Sequence, residues 1–304
     1  MRLLEPRVDR RGDPDRALRY RYNTRMSFAG KRVLALESRR SAEIAELIRR
    51  QEGEPVVALA MRESPIEGNE PAFEFAERLL AGAYDMVILM TGVGTRQLNR
   101  LLETRYPQRA LAEALQRVTL VARGPKPVAA LREMGLKPQI VAPEPNTWRE
   151  LLGAIDGRPE RRIAVQEYGR SNPSLVAALE ARGAEVTSVQ VYRYALPWDT
   201  APLREAVRRL IAGEIAVSLF TTAVQIVHLA RVAADQGLEQ PALASLRKTL
   251  VCSIGPTTTE ALAEFEIMPA MEPSHPKMGL LVKEAAEMYG RAAGAEQPST
   301  PAGL

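Results

Sequence analysis

RVLALESRRSAEIAELIRRQEGEPVV (residues 32–57) and RIAVQEYGRSNPSLVAALEARGAEVT (residues 162–187) are two copies of one strand-plus-helix unit, with Gly53 matching Gly183. The copies stand 130 residues apart, and the next unit keeps that offset: DMVILMTGVG from Asp85 returns as IAVSLFTTAV from Ile215. A third pair, TLVARGPKPVAAL from Thr119 and TLVCSIGPTTTEAL from Thr249, gains one residue before its glycine. Solenoid repeats run to roughly 20–50 residues, so a period this long is the size of a domain. Three units repeated in order predict two related α/β lobes with a cleft between them.

Each unit has the form expected of a parallel sheet: a short apolar strand, a turn of small or polar residues, and an amphipathic helix ended by glycine. Ile44, Leu47 and Ile48 recur at helical spacing before Gly53. In the partner copy Ser171 or Asn172 caps a helix with Pro173 at its first position, Leu175, Ala178 and Leu179 form its buried face, and Gly183 ends it in a left-handed turn. After these units come EPVVALAMRESP (54–65) and EVTSVQVYRYALP (185–197), both extended in character and in equivalent places. They are the natural crossings between lobes. The lobes are then interleaved: residues 30–58 plus 198–290 form one, and 62–190 the other. A simple division near residue 150 is the alternative.

The chain has 304 residues, 46% hydrophobic and 26% charged, an ordinary globular composition with room for two cores. No apolar run approaches the ~18–20 residues of a membrane span, and the N-terminus lacks the apolar centre of a signal peptide. One cysteine, Cys252, excludes an internal disulfide and suits a reducing cytosol. Its apolar run TLVCSIG marks a buried thiol. A cytoplasmic protein is expected. The net charge of +4 matches the first 28 residues, where eight arginines face four acids, so the remaining body is near neutral. Residues 1–28 read as a basic, disordered extension, as from a start ahead of Met26, and the Ala/Gly/Pro-rich stretch 292–304 as a disordered tail. A basic arm could touch polyanions, but with the surplus charge confined to it neither nucleic acid nor membrane is expected as a partner.

In parallel sheets ligands bind beyond the carboxyl ends of the strands. The loops there begin at Glu37, Thr91, Arg123, Gln166, Phe220 and Ile254 and are rich in Gly, Ser and Thr. Hydroxyls and backbone amides at helix N-termini suit carboxylates or phosphates, and acids and bases are expected to be scarce. Thr91-Gly92-Val93-Gly94 invites a nucleotide reading, but Gln97 replaces the third glycine of a dinucleotide fingerprint and no Gly-Lys-Ser/Thr follows. His228 and His275, far apart, and one cysteine do not assemble a metal site by type. His228 lies in an apolar helical run, as a packed or surface side chain.

Val191-Tyr192, Leu219-Phe220-Thr221-Thr222-Ala223-Val224, the run from Ile254 to Leu262 (IGPTTTEAL) and Pro276 with Leu280-Leu281-Val282, in that order, resemble the uroporphyrinogen-III synthase family over about residues 30–290. The resemblance implies two α/β lobes joined by a two-stranded β-ladder, with substrate in the cleft. It implies a lyase that closes linear hydroxymethylbilane with inversion of ring D, without cofactor or metal: the terminal hydroxyl leaves, attack gives a spiro intermediate, and fragmentation and reclosure follow. The substrate's eight carboxylates suit amides and hydroxyls at helix N-termini. Hydroxymethylbilane synthase would hand the substrate over, and a monomer is expected.

Carried over by residue, Tyr192 matches the tyrosine that helps the hydroxyl leave, against a ladder tyrosine that only packs. Thr257 and Thr258 match paired threonines that bind substrate, against a plain helix cap. Thr221 and Thr222 fill the Phe-Thr/Ser positions, and Ser38-Arg39 a Thr-Arg-like pair in which Arg39 meets a carboxylate or is solvated. The loop reading adds Thr91, Gly92, Tyr168 and Gly255 as substrate-binding candidates. Gly92, Gly94 and Pro127 depart from the pattern, which expects side-chain donors there. These departures support the alternative of a synthase-like ligand sensor without catalysis; only fourteen residues after Gly290 leave no room for a winged helix.

Overall fold

A computed structural model of the chain describes residues 26–295 apart from Glu67, Tyr168 and Arg170. The described residues fall into two compact units: those up to Met61 together with those from Leu196 onward, and Arg62–Ala195. The basic extension through residue 25, the final residues from 296, and Tyr168 lie outside the described residues.

In the discontinuous unit, β1 (Arg32–Ala35), β2 (Glu54–Val57), β10 (Ile215–Phe220) and β11 (Leu250–Ser253) form a parallel sheet ordered β11-β10-β1-β2. Alternate side chains serve opposite faces, as the period of two requires. Leu34 and Phe220 pack on one face against Leu203, Leu210, Ile226, Leu229 and Leu243, which come from α8 (Ala201–Ile211), α9 (Val224–Ala234) and α10 (Glu239–Leu246). Val33, Ala35, Val217 and Leu219 pack on the other against α1 (Ser41–Arg50) and α12 (Met278–Ala295) through Ile44, Ile48, Leu281 and Val282. Two buried faces explain why these strands are apolar throughout rather than alternating.

The continuous unit repeats this plan. β4 (Met86–Leu89), β5 (Thr119–Ala122), β6 (Ile140–Val141), β7 (Arg162–Gln166) and β8 (Glu185–Val189) form a parallel sheet ordered β6-β5-β4-β7-β8. At the repeat offset the order β11-β10-β1-β2 corresponds strand for strand to β5-β4-β7-β8. Even β6 has a counterpart, the parallel bridge from Met271 to Cys252. One face packs on α2 (Glu70–Leu80), α3 (Gly92–Leu102), α4 (Ala110–Leu115) and α5 (Pro125–Glu133), the other on α6 (Trp148–Ala154) and α7 (Pro173–Glu180). Asn172 caps α7 by accepting from the Leu175 N–H, and Gly183 follows it at φ 80°, both as its sequence predicts.

Each expected crossing proves to be two strands. β2 and β8 stay in their own sheets, and the chain then turns into β3 (Arg62–Pro65) and β9 (Tyr192–Ala195), an antiparallel ladder pairing Arg62 with Ala195 and Pro65 with Tyr192.

Two sequence expectations need correction. The extension does not reach residue 28: Phe28 is fully buried, its N–H donates to the Gln51 carbonyl, and the Ser27 hydroxyl donates to Glu52. The tail does not begin at 292 either, because α12 continues to Ala295 through an alanine-rich stretch of high helix propensity. Gly53 does not supply the left-handed turn that Gly183 supplies; Glu52 does, at φ 57°. Gly53 is there for space, since a Cβ would stand 2.8 Å from both Ile48 Cγ2 and Phe28 Cδ2.

The matched glycines therefore differ in kind. Gly53→Ala should destabilise by about 1–3 kcal/mol through overpacking, and Gly53→Asn by more. Gly183, with open space around its Cβ position, should tolerate asparagine, which adopts left-handed backbone readily. Urea unfolding of the four variants Gly53→Ala, Gly53→Asn, Gly183→Ala and Gly183→Asn checks both signs.

Candidate functional site

In each unit the strand order reverses once, between β10 and β1 and between β4 and β7, which is where parallel sheets open a crevice beyond the strand ends. The candidate residues gather at these two points, each described within its own unit.

At the β10/β1 point, Thr221 donates its hydroxyl proton to Glu37 Oε2 at 2.5 Å. Glu37 Oε1 also accepts the backbone N–H groups of Arg39 and Arg40, at 2.9 and 3.2 Å, ahead of α1. Behind them Gln225, fully buried, accepts from the N–H groups of Thr221 and Thr222 and donates to the Leu36 carbonyl and to Thr221 Oγ1. Thr221 has one proton, and Glu37 takes it. In this arrangement Thr221 therefore offers no hydroxyl donor to an anion and serves as a brace, while Thr222, half-buried, keeps its side chain at the loop.

Ser38 is also committed to framework: its oxygen accepts the N–H groups of Ala60 (3.2 Å) and Met61 (3.1 Å). The Ala60 carbonyl is held in turn by His228 Nδ1 at 2.7 Å, so Nδ1 carries the proton. His228 is buried, and burial pushes its pKa down; Arg231 adds to the effect and the Ala60 contact opposes it. The Arg39 side chain is exposed.

The neighbouring β11 leads through Gly255, in extended backbone, into α11 (Pro256–Ala263). No side chain caps this helix. Thr257 is half-buried and Thr258 buried, with the Thr258 N–H turned back to the Gly255 carbonyl. Thr259 anchors the turn instead, its hydroxyl meeting Ser253 at 2.6 Å and Glu272. Cys252 is fully buried on β11, its pKa pushed up to about 12 by burial, which removes it as a nucleophile.

At the β4/β7 point Thr91 caps α3, accepting the Gly94 N–H at 3.0 Å. Tyr192, on the ladder strand β9, is 1% exposed and donates to Thr91 Oγ1 at 3.3 Å. The Tyr194 ring meets Tyr192 edge-on, centroids 5.5 Å apart. Gly169 lies against Tyr194, where a Cβ would stand 2.7 Å from the ring. Thr91, Tyr192 and Gly169 are thus brought together.

The two unexpected glycines have a steric reason. A Cβ at Gly92 would collide with the Lys126 backbone carbonyl, at the start of α5, and one at Gly94 with the buried Gln166 amide. Side-chain donors are missing from this loop because neighbouring chain occupies their space. Pro127 is likewise buried within α5.

The expected scarcity of acids does not hold at the strand ends. Glu37 and Glu167 occupy the same repeat position, and Glu167 is buried, accepting from the Asn172 N–H and the Ser188 hydroxyl at 3.3 Å each. The repeat offset alone pairs these two glutamates in the sequence. Gln225 carries no sequence motif, and its role is visible only in the contacts of its amide. Among the described residues no cluster of His, Cys, Asp and Glu could hold a metal, and no helix is long and apolar enough to cross a membrane.

His228 gives a pH signature. Its folded-state pKa lies below the ordinary 6.5, so the unfolded chain binds the proton more readily, and the stabilisation present above pH 6.5 should fade as pH falls below it. Asp85, held near 2 chiefly by its hydrogen bonds from Arg162, loses its contribution only below its ordinary 3.8. Melting temperature should therefore fall between pH 7 and pH 5 more steeply for the wild type than for His228→Gln, the loss setting in near the ordinary histidine value of about 6.5 and growing below it.

Comparison with known proteins agrees with this architecture. The family model described as uroporphyrinogen-III synthase HemD matches residues 42–283. Uncharacterized protein YjjA of Bacillus subtilis is 28% identical over 272 residues, covering 86% of this chain and 96% of its own. A crystal structure of mutant uroporphyrinogen III synthase from the extremely thermophilic bacterium Thermus thermophilus aligns at 25% identity with a TM-score of 0.65, covering 88% of this chain and all of that one. The wild-type enzyme of the same organism, in a second crystal form, gives 26% identity and a TM-score of 0.51 over 88% of this chain and 99% of its own.

Proposed function

The chain belongs to the uroporphyrinogen-III synthase family, and from that premise we propose that it closes hydroxymethylbilane to uroporphyrinogen III with inversion of ring D. The observation that carries the reading is the family match across 42–283, which includes β10, the β4/β7 switch point and both ladder strands. No observation favours the sensor alternative: the glycines that prompted it are explained by packing.

The chemistry removes the terminal hydroxyl as water, forms a spiro intermediate, and reopens and recloses the ring system. A substrate already prone to cyclise needs positioning above all, and orientation can supply ~7–11 kcal/mol in favourable cases. The hydroxyls of Thr222 and Thr257 and the Gly255 turn, at the N-termini of α9 and α11, suit the substrate's carboxylates. Thr91, Gly92 and Arg39 are assigned the same role, and Tyr168 and Thr258 complete the set. Thr221 and Ser38 act behind them as braces.

Tyr192 is assigned to assist the leaving hydroxyl. A phenol hydroxyl can donate a hydrogen bond or give up its proton to a leaving group. Its contact with half-buried Thr91 supports this, because the buried phenol then has a hydroxyl relay at the strand end. Hydroxymethylbilane synthase would supply the substrate in the cytoplasm to a monomeric enzyme, a state that sedimentation would test.

A coupled assay from porphobilinogen, with isomers III and I separated after oxidation, tests the function. Excess type III over the uncatalysed type I is the expected result, and type I alone refutes it. In the same assay Tyr192→Phe should lower kcat by roughly 5- to 150-fold, equivalent to ~1–3 kcal/mol, with melting temperature little changed. Unchanged turnover would make Tyr192 a packing residue of the ladder.

A further inference from the structure

We propose that Gln225 is a positioning residue for the synthase reaction: its buried amide fixes the β10–α9 loop against the end of β1 and so sets where Thr222 and Glu37 stand. The inference rests on the functional reading above and concerns a residue with no place in the motifs that suggested it.

Gln225 lies at the second position of α9 and is fully buried. A glutamine amide offers one carbonyl oxygen and two N–H groups, and both ends are used here. Oε1 accepts from Thr221 N at 2.7 Å and Thr222 N at 3.2 Å, and Nε2 donates to the Leu36 carbonyl and to Thr221 Oγ1, each at 2.9 Å. The Leu36 contact crosses the switch point, from the helix that follows β10 to the strand end of β1. Because Nε2 occupies an acceptor position of Thr221 Oγ1, the single proton of that hydroxyl is left for Glu37 Oε2. One amide therefore sets two loops: it pins the Thr221 and Thr222 backbone, and through Thr221 it orients the Glu37 carboxylate.

This role has a chemical meaning for the proposed substrate. Carboxylates of the substrate would meet the Thr222 side of the loop. Glu37, half-buried and acceptor-only when ionised, suits the pyrrole N–H groups that hydroxymethylbilane also carries. Loss of the amide would free both loop ends, weakening substrate placement without removing a group that touches the reacting atoms.

The test uses Gln225→Met, similar in length and without hydrogen-bonding capacity, and Gln225→Glu, which keeps the acceptor for the two threonine amides and loses both donations. Initial rates from enzymatically generated hydroxymethylbilane, normalised to folded protein, separate KM from kcat. For Gln225→Met, KM should rise about tenfold with kcat changed by less than about threefold, and Gln225→Glu should fall between Met and wild type. The type I fraction at low substrate should rise in parallel. Lowered melting temperature with unchanged KM per folded molecule overturns the proposal and leaves Gln225 a stabilising residue only. If the Met variant does not fold, a Glu variant with wild-type KM overturns it equally. A wild type that forms no type III isomer is a different outcome: the functional reading fails first, and the proposal falls with it.

Discussion

The parallel pairing of β1 with β10 is the constraint on which the rest depends. Arg32 stands opposite Ile215 and Ala35 opposite Leu219, so the first strand among the described residues is paired with one that follows the whole Arg62–Ala195 unit. Both strands are apolar on both faces and have to sit inside a sheet. Once they pair, the intervening residues form a unit of their own, and the chain passes between units twice, at β3 and β9. Those two passages run in opposite directions and meet as an antiparallel ladder. Long-range pairing of this kind carries a loop-closure cost that grows only slowly with length, and a well-folded intervening unit shortens the effective loop further.

The same pairing creates the chemistry. A switch point exists in the first unit only because β1 lies beside β10, and the Thr221–Glu37 hydrogen bond closes across that junction. Its repeat counterpart between β4 and β7 is filled differently. There Gln166 and the Lys126 carbonyl press on α3, and glycine is the residue that fits. One backbone plan thus carries two different loop chemistries: an acidic, hydroxyl-braced turn in one unit, and a glycine turn backed by buried Tyr192 and half-buried Tyr194 in the other.

The fold was legible because its signal is periodic. A strand, turn and helix repeated at one offset reports topology even where any single unit is ambiguous, and the extended stretches at matched positions marked the passages. The candidate site was legible to the level of loops and less so to the level of atoms. Thr221 and Ser38 have the residue types of ligand donors, yet their hydrogen bonds go to Glu37 and to the Ala60 and Met61 amides. A hydroxyl in a loop looks the same in sequence whether it faces a ligand or the neighbouring turn. Gln225 shows the converse: a glutamine inside an apolar helical run, VQIVHL, carries no motif, and only the three-dimensional return of Leu36 to its amide reveals its work. Gly53 and Gly183 make the point for backbone, since identical letters at one repeat position answer to space in one copy and to left-handed φ in the other.

Burial decides how the two switch-point glutamates can act. Glu167 is sealed behind the strand ends and takes its contacts from Asn172 and Ser188, which cap and flank its own unit. Glu37 keeps part of its surface in solvent while the Arg39 and Arg40 amides and the Thr221 hydroxyl hold it. Three donors converging on one carboxylate fix its direction. A fixed, half-exposed negative charge beside a helix N-terminus creates a local choice between anion and cation. Under the proposed function, donor groups of the substrate would be drawn to the Glu37 side and its carboxylates turned toward the Thr222 and Thr257 hydroxyls. Orientation of a ligand bearing both kinds of group can therefore arise from the loop geometry itself, before any residue moves a proton.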